Sequence, residues 1–316
     1  MRNVDLKDFE IRTDLVADIV SKDEKVNVTE EIYEENRIKV SNIKIDSDTS
    51  KLINKKEGFY TTIYFDDITD HTNYKNVKEI FIKELQKILE KENITKNSSC
   101  TIIGLGNDKS TPDALGSKTV ENIIVTKHIY DLTGTLEEGY RIVSSFTPGV
   151  MGTTGIETSD ILESLINKVK PNFIIVIDSL ASDSIDRVTK TIQITNAGIN
   201  PGSGIGNKRK EISKETLNIP VIAIGVPMVV DAVTIVSDTI NYMQKHFSYN
   251  LKNKTKSDNL IPSYMKNYLK YDNLTLSNEE KNYFLGAFGN LSDYEKKALI
   301  FDVLTPIGYN FIVTLK

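Results

Sequence analysis

The fold is decided by Thr101-Ile-Ile-Gly-Leu-Gly-Asn-Asp-Lys-Ser-Thr-Pro-Asp-Ala-Leu-Gly116 and, further along the chain, by Asn172-Phe-Ile-Ile-Val-Ile-Asp-Ser-Leu-Ala181. Each stretch is a short apolar run, typical of a buried strand, followed by polar residues that include an acid. The acids are Asp113 in the first stretch and Asp178 in the second. In an open α/β sheet, ligands bind just beyond the carboxyl ends of the strands. The two stretches therefore predict an acid/base site at one edge of an α/β sheet.

The flanking sequence alternates between helical and strand patterns. Four segments predict helices: residues 77–91, residues near 112–121, residues 160–169 and residues 229–243. Apolar runs predict strands over residues 100–105, 123–125, 173–177, 221–226 and 310–313, and the alternation in residues 59–65 suits an edge or hairpin strand. Strands that alternate with helices indicate an α/β sandwich, with a mainly parallel sheet between helices. Residues 247–293, rich in Lys, Asn, Ser and Tyr, are interpreted as an inserted helical segment or a lid.

Size, charge and cysteine content exclude several classes of protein. A chain of 316 residues can bury a large core. Its net charge of −5 argues against a general nucleic-acid binder, which would carry a basic patch. The sequence has no apolar run of about 20 residues that would predict a membrane span, and its charged N-terminus does not resemble a signal peptide. Cys100 is the single cysteine, so we interpret it as an inert core thiol in a protein of a reducing compartment.

Three glycine-rich loops raise the question of phosphate binding. Gly104-Leu-Gly-Asn107 would begin a dinucleotide fingerprint, but Lys109 stands where the third glycine is required. Pro201-Gly-Ser-Gly-Ile-Gly-Asn207 lacks the ending of a P-loop, and we interpret it as a loop at the surface or at the edge of the site. In the loop of residues 147–157, backbone N–H groups could hold an oxygen atom of a substrate.

Each acid also has a structural interpretation that needs no catalysis. Asp113 follows Thr111-Pro112 and could lie in the first turn of a helix, and Asp178 could cap the segment after its strand. His128 follows the predicted strand of residues 123–125, so it could face the same edge of the sheet and, with the two acids, bind a divalent metal ion. From the residues alone, an acid-based hydrolase and a small-molecule-binding α/β domain are equally open.

Several motifs together resemble the germination protease family of spore-forming bacteria. The similarity begins near Asp8, reaches the C-terminus and is densest between Gly104 and Thr234. A run of motifs of this length is specific, whereas each glycine motif alone is not. The motifs are Gly-Leu-Gly-Asn107, Thr-Pro-Asp-Ala-Leu-Gly116, Val-Thr-Lys-His128, Pro-Gly-Val-Met-Gly-Thr-Thr-Gly-Ile-Glu-Thr-Ser-Asp160, Ile-Asp-Ser-Leu-Ala181, Asn-Pro-Gly-Ser-Gly-Ile-Gly-Asn-Lys-Arg-Lys-Glu211 and Ile-Pro-Val-Ile-Ala-Ile-Gly-Val-Pro227.

The resemblance implies an intracellular endopeptidase that initiates the degradation of small acid-soluble spore proteins when a spore germinates. It implies an inactive zymogen that removes its own N-terminal segment, a fold similar to that of hydrogenase-maturation proteases, and assembly as a homotetramer. The proposed catalytic pair of the family is two aspartates, and Asp113 and Asp178 stand at the matching positions. No cofactor, membrane or direct nucleic-acid partner is implied. The expected location is the cytoplasm of the forespore and the spore core.

The N-terminus is expected to be a removable propeptide of residues 1–14, followed by an α/β endopeptidase domain over residues 15–316. An acid precedes an aliphatic residue twice, at Glu10-Ile11 and at Asp14-Leu15. The resemblance implies cleavage after an acid and before a hydrophobic residue, within Arg-Thr-Asp-Leu15. The predicted cut therefore falls between Asp14 and Leu15.

The substrate is expected in an open groove lined by residues 147–155 and 202–209, because extended peptides bind through main-chain hydrogen bonds. Two other interpretations stay open beside the aspartate-dependent protease. They are a metal-assisted protease that uses the same acids, and a non-enzymatic α/β binding or maturation factor. The predicted substrate contacts are Gly152, Thr153, Thr154, Gly202, Ser203, Gly204 and His128.

Overall fold

The structure, a computed structural model, describes residues 13–22, 28–202, 209–230, 234–235 and 238–239. Eight strands form one sheet, and helices pack on it. The strands are β1 (Thr29–Glu35), β2 (Ile38–Ile45), β3 (Gly58–Tyr64), β4 (Cys100–Gly104), β5 (Val143–Phe146), β6 (Phe173–Ser182), β7 (Thr191–Thr195) and β8 (Val221–Val230). The helices are α1 (Val16–Lys22), α2 (Ser47–Ile53), α3 (His71–Lys91), α4 (Leu115–Glu121), α5 (Lys127–Thr133), α6 (Met151–Thr154), α7 (Thr158–Val169) and α8 (Lys214–Leu217).

The sheet is mixed, with the strand order β1-β2-β3-β7-β8-β6-β4-β5. The neighbours β6, β4 and β5 run parallel to one another. The pairs β1–β2, β2–β3, β3–β7 and β7–β8 are antiparallel. Asn36 and Arg37, with φ of 53° and 66°, form the tight turn that makes β1 and β2 a hairpin. The predicted α/β class is confirmed, but the sheet is only partly parallel, because the N-terminal strands join it as antiparallel neighbours.

One face of the sheet packs on the long helix α3. The side chain of Asp70 accepts a hydrogen bond from the backbone N–H of Asn73 at 2.8 Å and so caps the helix at its start. Apolar residues of α3, at helical spacing, then pack against alternate residues of the strands. This packing removes both sets of side chains from water. This core includes Val77, Phe81 and Leu85 of α3 with Ile63, Ile102, Ile175 and Ile192 of the sheet.

The opposite face carries α7 and α8 over the parallel strands and α1 over the antiparallel ones. Successive side chains of a strand point to opposite faces. The strand residues next in sequence to those that pack on α3 therefore point to this opposite face. Ile103 and Val176 pack here with Leu162 of α7. Val16 of α1 packs with Tyr60 of β3. The segment at the start of α1 is thereby anchored on the sheet.

Most of the elements predicted for the central part of the chain are confirmed. The predicted helices of residues 77–91 and 160–169 are α3 and α7, each beginning a little earlier than expected. The predicted strands of residues 100–105, 173–177 and 221–226 are β4, β6 and β8. The helix expected near residues 112–121 is a 3-10 turn, Thr111–Asp113, followed by α4.

Three details of the prediction are wrong. Residues 123–125 are not a strand but part of the link between α4 and α5. β3 is an interior strand, paired with β2 and β7, and not an edge strand. β6 continues to Ser182 and β8 to Val230, because strands inside a sheet extend past their apolar runs where backbone partners are present. Asp178 therefore lies inside β6, and Val229 and Val230 belong to β8 rather than to a helix.

Several predicted segments lie outside the described residues. These are the strand of residues 310–313, the insertion of residues 247–293, most of the helix of residues 229–243 and residues 1–12 of the propeptide. Contacts within the chain define two compact units, and the larger one contains residues 13–182 and 186–229. None of the described helices is both long and apolar enough to cross a membrane.

Candidate active site

Asp113 and Asp178 lie at the same edge of the sheet because two neighbouring parallel strands lead to them. β4 and β6 pair in parallel, and the last pair in register joins Gly104 to Ile177. Asp178 follows this pair directly. Asp113 lies in the 3-10 turn Thr111–Asp113, at the end of the loop that follows β4. We call Asp113 and Asp178 the acid pair.

Close backbone packing fixes the turn that carries the first acid. A Cβ atom on Gly116 would lie 2.4 Å from the carbonyl oxygens of Ile177 and Leu105, far inside contact distance. At Gly106 the φ angle is +95°, and a Cβ atom would lie 1.9 Å from the carbonyl oxygen of Asp113. Glycine at these two positions lets the start of α4 rest on β4 and β6. The turn is thereby held against the strand of the second acid.

Burial makes Asp178 a weak acid. The residue is 6% exposed, and one carboxyl oxygen accepts a hydrogen bond from the backbone N–H of Ser179 at 2.9 Å. Desolvation raises the pKa of Asp178 well above its usual range, and the charges of Asp113 and, more weakly, Asp14 add to the rise. A carboxyl group in this position keeps its proton to a higher pH than an exposed one.

Asp113 is less buried and better stabilised as an anion. Its Oδ2 accepts a hydrogen bond from the backbone N–H of Asn107 at 2.9 Å, and the positive charge of Arg209 lowers its pKa. Desolvation outweighs both effects, so the pKa of Asp113 is also raised, although not as far as that of Asp178. Because two neighbouring carboxylates repel each other, the acid pair favours a state with one proton between them.

The segment before α1 lies along the far part of β6, three residues beyond Asp178. The backbone N–H of Asp14 donates to the carbonyl oxygen of Ala181 at 2.9 Å. The N–H of Ala181 donates in turn to Oδ2 of the Asp14 side chain at 2.9 Å. The charge of Asp14 also raises the pKa of Asp178. β6 therefore binds both the backbone and the side chain of the residue that precedes the predicted cut.

Two further side chains contact the carbonyl group of Asp14. The Nε2 of Gln193, on β7, donates to this oxygen at 3.3 Å, while its Oε1 accepts from the N–H of Val16 at 2.9 Å. The Nζ of Lys55, just after α2, donates to the carbonyl oxygens of Thr13 at 3.3 Å and of Asp14 at 3.5 Å. Donors from two distant parts of the chain thus converge on the peptide bond of the predicted cut.

Residues on both sides of this bond are held in place. Leu15 is fully buried, and its N–H donates to Oγ1 of Thr13 at 3.1 Å. The same Oγ1 donates to the carboxylate of Asp18 at 3.1 Å. Asp18 is itself buried and forms an ion pair with Nε of Arg187 at 3.1 Å. The segment is therefore fixed to the sheet through α1 as well as through β6.

His128 does not join the acid pair, and the prediction that it faces the same edge is wrong. It is exposed on α5, which starts beside Thr126, and Thr126 bonds to the backbone of Val143 at the start of β5. Val143 pairs with Cys100, at the start of β4, whereas the acids follow its end, about 13 Å further along the strand. Within the part of the chain that the structure describes, no group of three or more His, Cys, Asp or Glu side chains could hold a metal ion.

The predicted substrate contacts in the loop after β5 lie at the same edge of the sheet as the acid pair. β5 runs parallel to β4, so the loop that follows it leaves the sheet on the same side as the Asp113 turn. Gly152, Thr153 and Thr154 lie in the short helix α6 and are exposed. The hydroxyls of both threonines donate to the carbonyl oxygen of Val150, at 2.9 and 3.2 Å. Their side chains are therefore engaged with their own loop.

The second predicted loop is described only at its ends. Gly202 is half-buried in a turn, with a φ of +72°. Ser203 and Gly204 lie outside the described residues. Arg209, at the far end of the loop, is close enough to Asp113 to act on its pKa. Arg209 therefore lies near Asp113.

Cys100 is a buried residue of β4, as the sequence predicts. Burial raises the pKa of its thiol to about 12. The group is therefore a neutral thiol at physiological pH, and thiols react as nucleophiles only when deprotonated.

Two residues near Asp14 were not predicted as site residues, whereas Arg209 ends the predicted groove loop of residues 202–209. Gln193 carries a weak signal, because it is a polar residue between Ile192 and Ile194 in a fully buried strand. Lys55 carries no local signal, since nothing near it in sequence distinguishes it from a surface lysine.

The chain was compared with solved structures. A [NiFe] hydrogenase maturation protease, HycI of Thermococcus kodakarensis, is 17% identical over 44% of this chain and 80% of its own, with a TM-score of 0.28.

Comparison with known sequences gives matches along the whole chain. The family model described as Germination protease matches residues 4–316. The germination protease of a Geobacillus species is 45% identical over 335 residues, covering 100% of this chain and 90% of that protein. The germination protease of Oceanobacillus iheyensis is 48% identical over 325 residues, covering 98% of this chain and 89% of that protein. The chain therefore belongs to the germination protease family, and it is a peptidase.

Proposed function

We propose that this peptidase is an endopeptidase that cuts after an acidic residue and before a hydrophobic one, with Asp113 and Asp178 as its catalytic groups. Its first cut falls between Asp14 and Leu15 of its own chain. This cut removes a propeptide of residues 1–14 and leaves an endopeptidase domain of residues 15–316. Its external substrates are small acid-soluble spore proteins, degraded during germination in the cytoplasm of the spore core.

One observation carries this proposal: Asp14, the residue before the proposed cut, is bound to β6 three residues beyond Asp178. Ala181 forms hydrogen bonds with Asp14 in both directions, at 2.9 Å each. The charge of Asp14 acts directly on Asp178. An acidic residue followed by a buried aliphatic one, bound to the strand that carries Asp178, supports the proposed cut between Asp14 and Leu15.

The proposed chemistry uses one carboxylate and one carboxylic acid. Asp113, the better stabilised anion, takes a proton from a water molecule while the water oxygen attacks the carbonyl carbon of Asp14. The electron pair of the C=O π bond moves onto the carbonyl oxygen. As it returns, the C–N bond breaks, and the protonated Asp178 gives its proton to the nitrogen of Leu15. A proton then passes from Asp113 to Asp178 and restores the starting state.

Recognition of external substrates follows from the same contacts. An extended peptide can add to a free strand edge through main-chain hydrogen bonds. On β6, the N–H of Ala181 binds an acidic side chain at 2.9 Å, which supports a preference for an acid before the cut. Small acid-soluble spore proteins are largely unstructured when free of DNA, so no unfolding step is needed.

The proposal includes a zymogen and a homotetramer. With Asp14 in place, this part of β6 is occupied by the chain's own segment, which supports an inactive precursor. The homotetramer follows from the family resemblance. Sedimentation of the purified chain should give a mass near four times 35.5 kDa, and the mass of a single chain would contradict this part of the proposal.

The experiment that tests the proposal is N-terminal sequencing of the purified full chain after incubation at mildly acidic pH. Acid favours the cut, because one carboxyl must hold a proton. We expect a new terminus at Leu15 in the wild type and none in the Asp178→Asn variant. A terminus at Ile11 would move the cleavage site. Equal trimming of both proteins would mean that the cut does not depend on the acid pair.

A second assay separates the proposed mechanism from its alternatives. The processed protein is incubated with a purified small acid-soluble spore protein, with and without a strong chelator of divalent metal ions. We expect cleavage after acidic residues at the same rate in both samples. Loss of cleavage in chelator would favour the metal-assisted protease, and binding without cleavage would favour a non-enzymatic role toward this protein.

A further inference from the structure

Lys55 is a half-buried lysine whose ammonium group contacts the segment before α1. Its described hydrogen bonds go to the carbonyl oxygens of Thr13, at 3.3 Å, and Asp14, at 3.5 Å. Among the residues that the structure describes, no carboxylate forms an ion pair with Lys55. Burial lowers the pKa of Lys55, and the charge of Asp14 opposes the change only in part. Within the part of the chain that the structure describes, this charge therefore has no carboxylate in direct contact.

Gln193 supplies a second donor whose direction is fixed. Its Oε1 accepts the N–H of Val16 at 2.9 Å, which only an oxygen can do. The other end of the amide is therefore the NH₂ group, and it points to the carbonyl oxygen of Asp14 at 3.3 Å. Gln193 is buried, so this donor does not exchange its partner for bulk water.

We propose that Lys55 and Gln193 are catalytic residues that stabilise the negative charge formed on the carbonyl oxygen before the cut bond. The inference rests on the proposed function, since it assigns a role in cleavage after Asp14. When water attacks the carbonyl carbon, the π electron pair moves onto this oxygen and leaves an alkoxide. When the alkoxide collapses, the pair returns and the C–N bond breaks. The two donors act only on the charge and exchange no proton.

The contacts are better suited to the alkoxide than to the carbonyl. Distances of 3.3 and 3.5 Å are long for hydrogen bonds to a neutral oxygen. Hydrogen bonds between charged partners are shorter and stronger, so both contacts can tighten as the charge develops. An interaction that is stronger in the transition state than in the ground state is the kind that accelerates the reaction. At that moment the charge of Lys55 gains an anionic hydrogen-bond partner.

The test compares two substitutions at these donors with a matched control. Lys55→Met removes the charge and keeps a long apolar side chain. Gln193→Glu keeps an acceptor for the N–H of Val16 and removes the donor to Asp14. The control is Lys56→Met, because Nζ of Lys56 contacts Glu211 and Glu215 on the surface.

The first measurement is the rate at which the full chain gains a terminus at Leu15, followed by intact mass. Loss of one donor to a developing oxyanion lowers a rate by roughly 10²–10³. We expect a loss of this size in Lys55→Met and Gln193→Glu, and the wild-type rate in Lys56→Met. Lys55→Arg keeps a positive donor, and we expect it to retain part of the rate. Urea unfolding checks that the slow variants are folded.

The second measurement separates catalysis from mere positioning. The variants are first cleaved at Leu15 by added active enzyme, which is then removed. The processed wild type and the processed variants are assayed on a peptide that contains Asp-Leu. We expect kcat to fall in Lys55→Met while KM stays near the wild-type value. A phosphinic peptide, whose tetrahedral anion resembles the alkoxide, should lose more affinity than the substrate peptide does.

Two results would overturn the inference. A folded Lys55→Met variant that cuts at the wild-type rate would remove Lys55 from catalysis, and a rise in KM with unchanged kcat would make it a positioning residue. Either result leaves the proposed function standing, provided that Asp178→Asn still fails to cut. If the wild type itself shows no cut after Asp14, the proposed function and this inference fail together.

Discussion

At the scale of single residues, the two members of the acid pair differ in how well each anion is stabilised. Asp113 has a backbone N–H and the charge of Arg209, whereas the charge of Asp113 itself works against ionisation of Asp178. Burial raises both pKa values, and it raises that of Asp178 further. The environment thus raises the proton affinity of one carboxyl group above that of the other, although the two side chains are chemically identical.

This difference predicts how Asp178 affects stability as the pH changes. Its pKa is higher in the folded than in the unfolded state, so the folded protein binds more protons between the two values. The stabilisation is complete below the unfolded pKa, near 4, and is lost as the pH rises through the folded pKa. Asp178→Asn removes this dependence. At neutral pH we expect the variant to be the more stable protein, because no carboxylate is buried.

Urea unfolding of both proteins across this pH range checks the prediction. The difference between their free energies of unfolding should change by up to about 1.4 kcal/mol per pH unit in that window. A difference that stays constant with pH would show that the carboxyl titrates alike in the folded and unfolded chains.

A second prediction at this scale concerns Gly116. Alanine there would place its Cβ 2.4 Å from two carbonyl oxygens, so the start of α4 must move away from β6. We expect Gly116→Ala to destabilise the protein by roughly 1–3 kcal/mol or more, as overpacking does. Gly152→Ala is the control for stability, since its Cβ would meet nothing within 4 Å. Equal unfolding midpoints for the two variants would argue against the close packing.

At the scale of elements, β6 has two different backbone partners along its length, first β4 and then the segment that contains Asp14. Phe173 to Ile177 pair with β4, and Leu105 still donates to the carbonyl oxygen of Ile177 at 2.8 Å. Backbone groups two residues apart in a strand point to the same side, so Ala181 offers its N–H and C=O beyond the end of β4. Asp14 uses both groups. A short β4 beside a long β6 therefore creates the place where the segment binds.

The Ala181 contact predicts which residue is accepted before the cut. Asp14→Leu keeps a side chain of similar size but offers no acceptor to the N–H of Ala181. We expect it to slow self-cleavage at Leu15 strongly, whereas Asp14→Glu should retain part of the rate. Loss of a hydrogen bond to a charged group corresponds to about 1.5–3 kcal/mol. Mass spectrometry of timed samples measures the rates, and equal rates for Asp14→Leu and wild type would contradict the role of Ala181.

At the scale of the whole molecule, α1 joins the segment that contains Asp14 to the rest of the fold. It packs on the sheet through residues that follow the predicted cut. Val16 and Ala17 are buried against β2 and β3, and Asp18 pairs with Arg187. These contacts are formed by residues that follow the predicted cut. The fold should therefore survive the removal of those residues, while the part of β6 that Asp14 occupies becomes free.

This arrangement predicts the behaviour of a chain that begins at Leu15. We expect it to unfold at nearly the same urea concentration as the full chain and to cut an Asp-Leu peptide much faster than the full chain does before processing. Steady-state kinetics on a fluorogenic peptide provides the comparison. Equal kcat/KM values for the two proteins would show that the segment does not occupy the site.

Local pattern alone was sufficient for the central strands, the helices α3 and α7, the buried Cys100 and the two acids that follow parallel strands. These features depend on the spacing of apolar residues and on residues adjacent in sequence. Both can be read directly from a sequence. The lengths of β6 and β8 and the mixed sheet were not predicted, because they depend on which strands become neighbours. His128 was misplaced for the same reason, since an assumed strand put it at the wrong edge.

By itself, then, the sequence determined the α/β class, and it predicted the acid pair and a cut between Asp14 and Leu15. Only the tertiary structure decided that Asp14 binds to β6, with Lys55 and Gln193 at its carbonyl oxygen. The physical reason is that these partners come from α2's end, β7 and β6, far apart along the chain. Hydrogen bonds between distant segments follow from strand order and register, and no local periodicity records them.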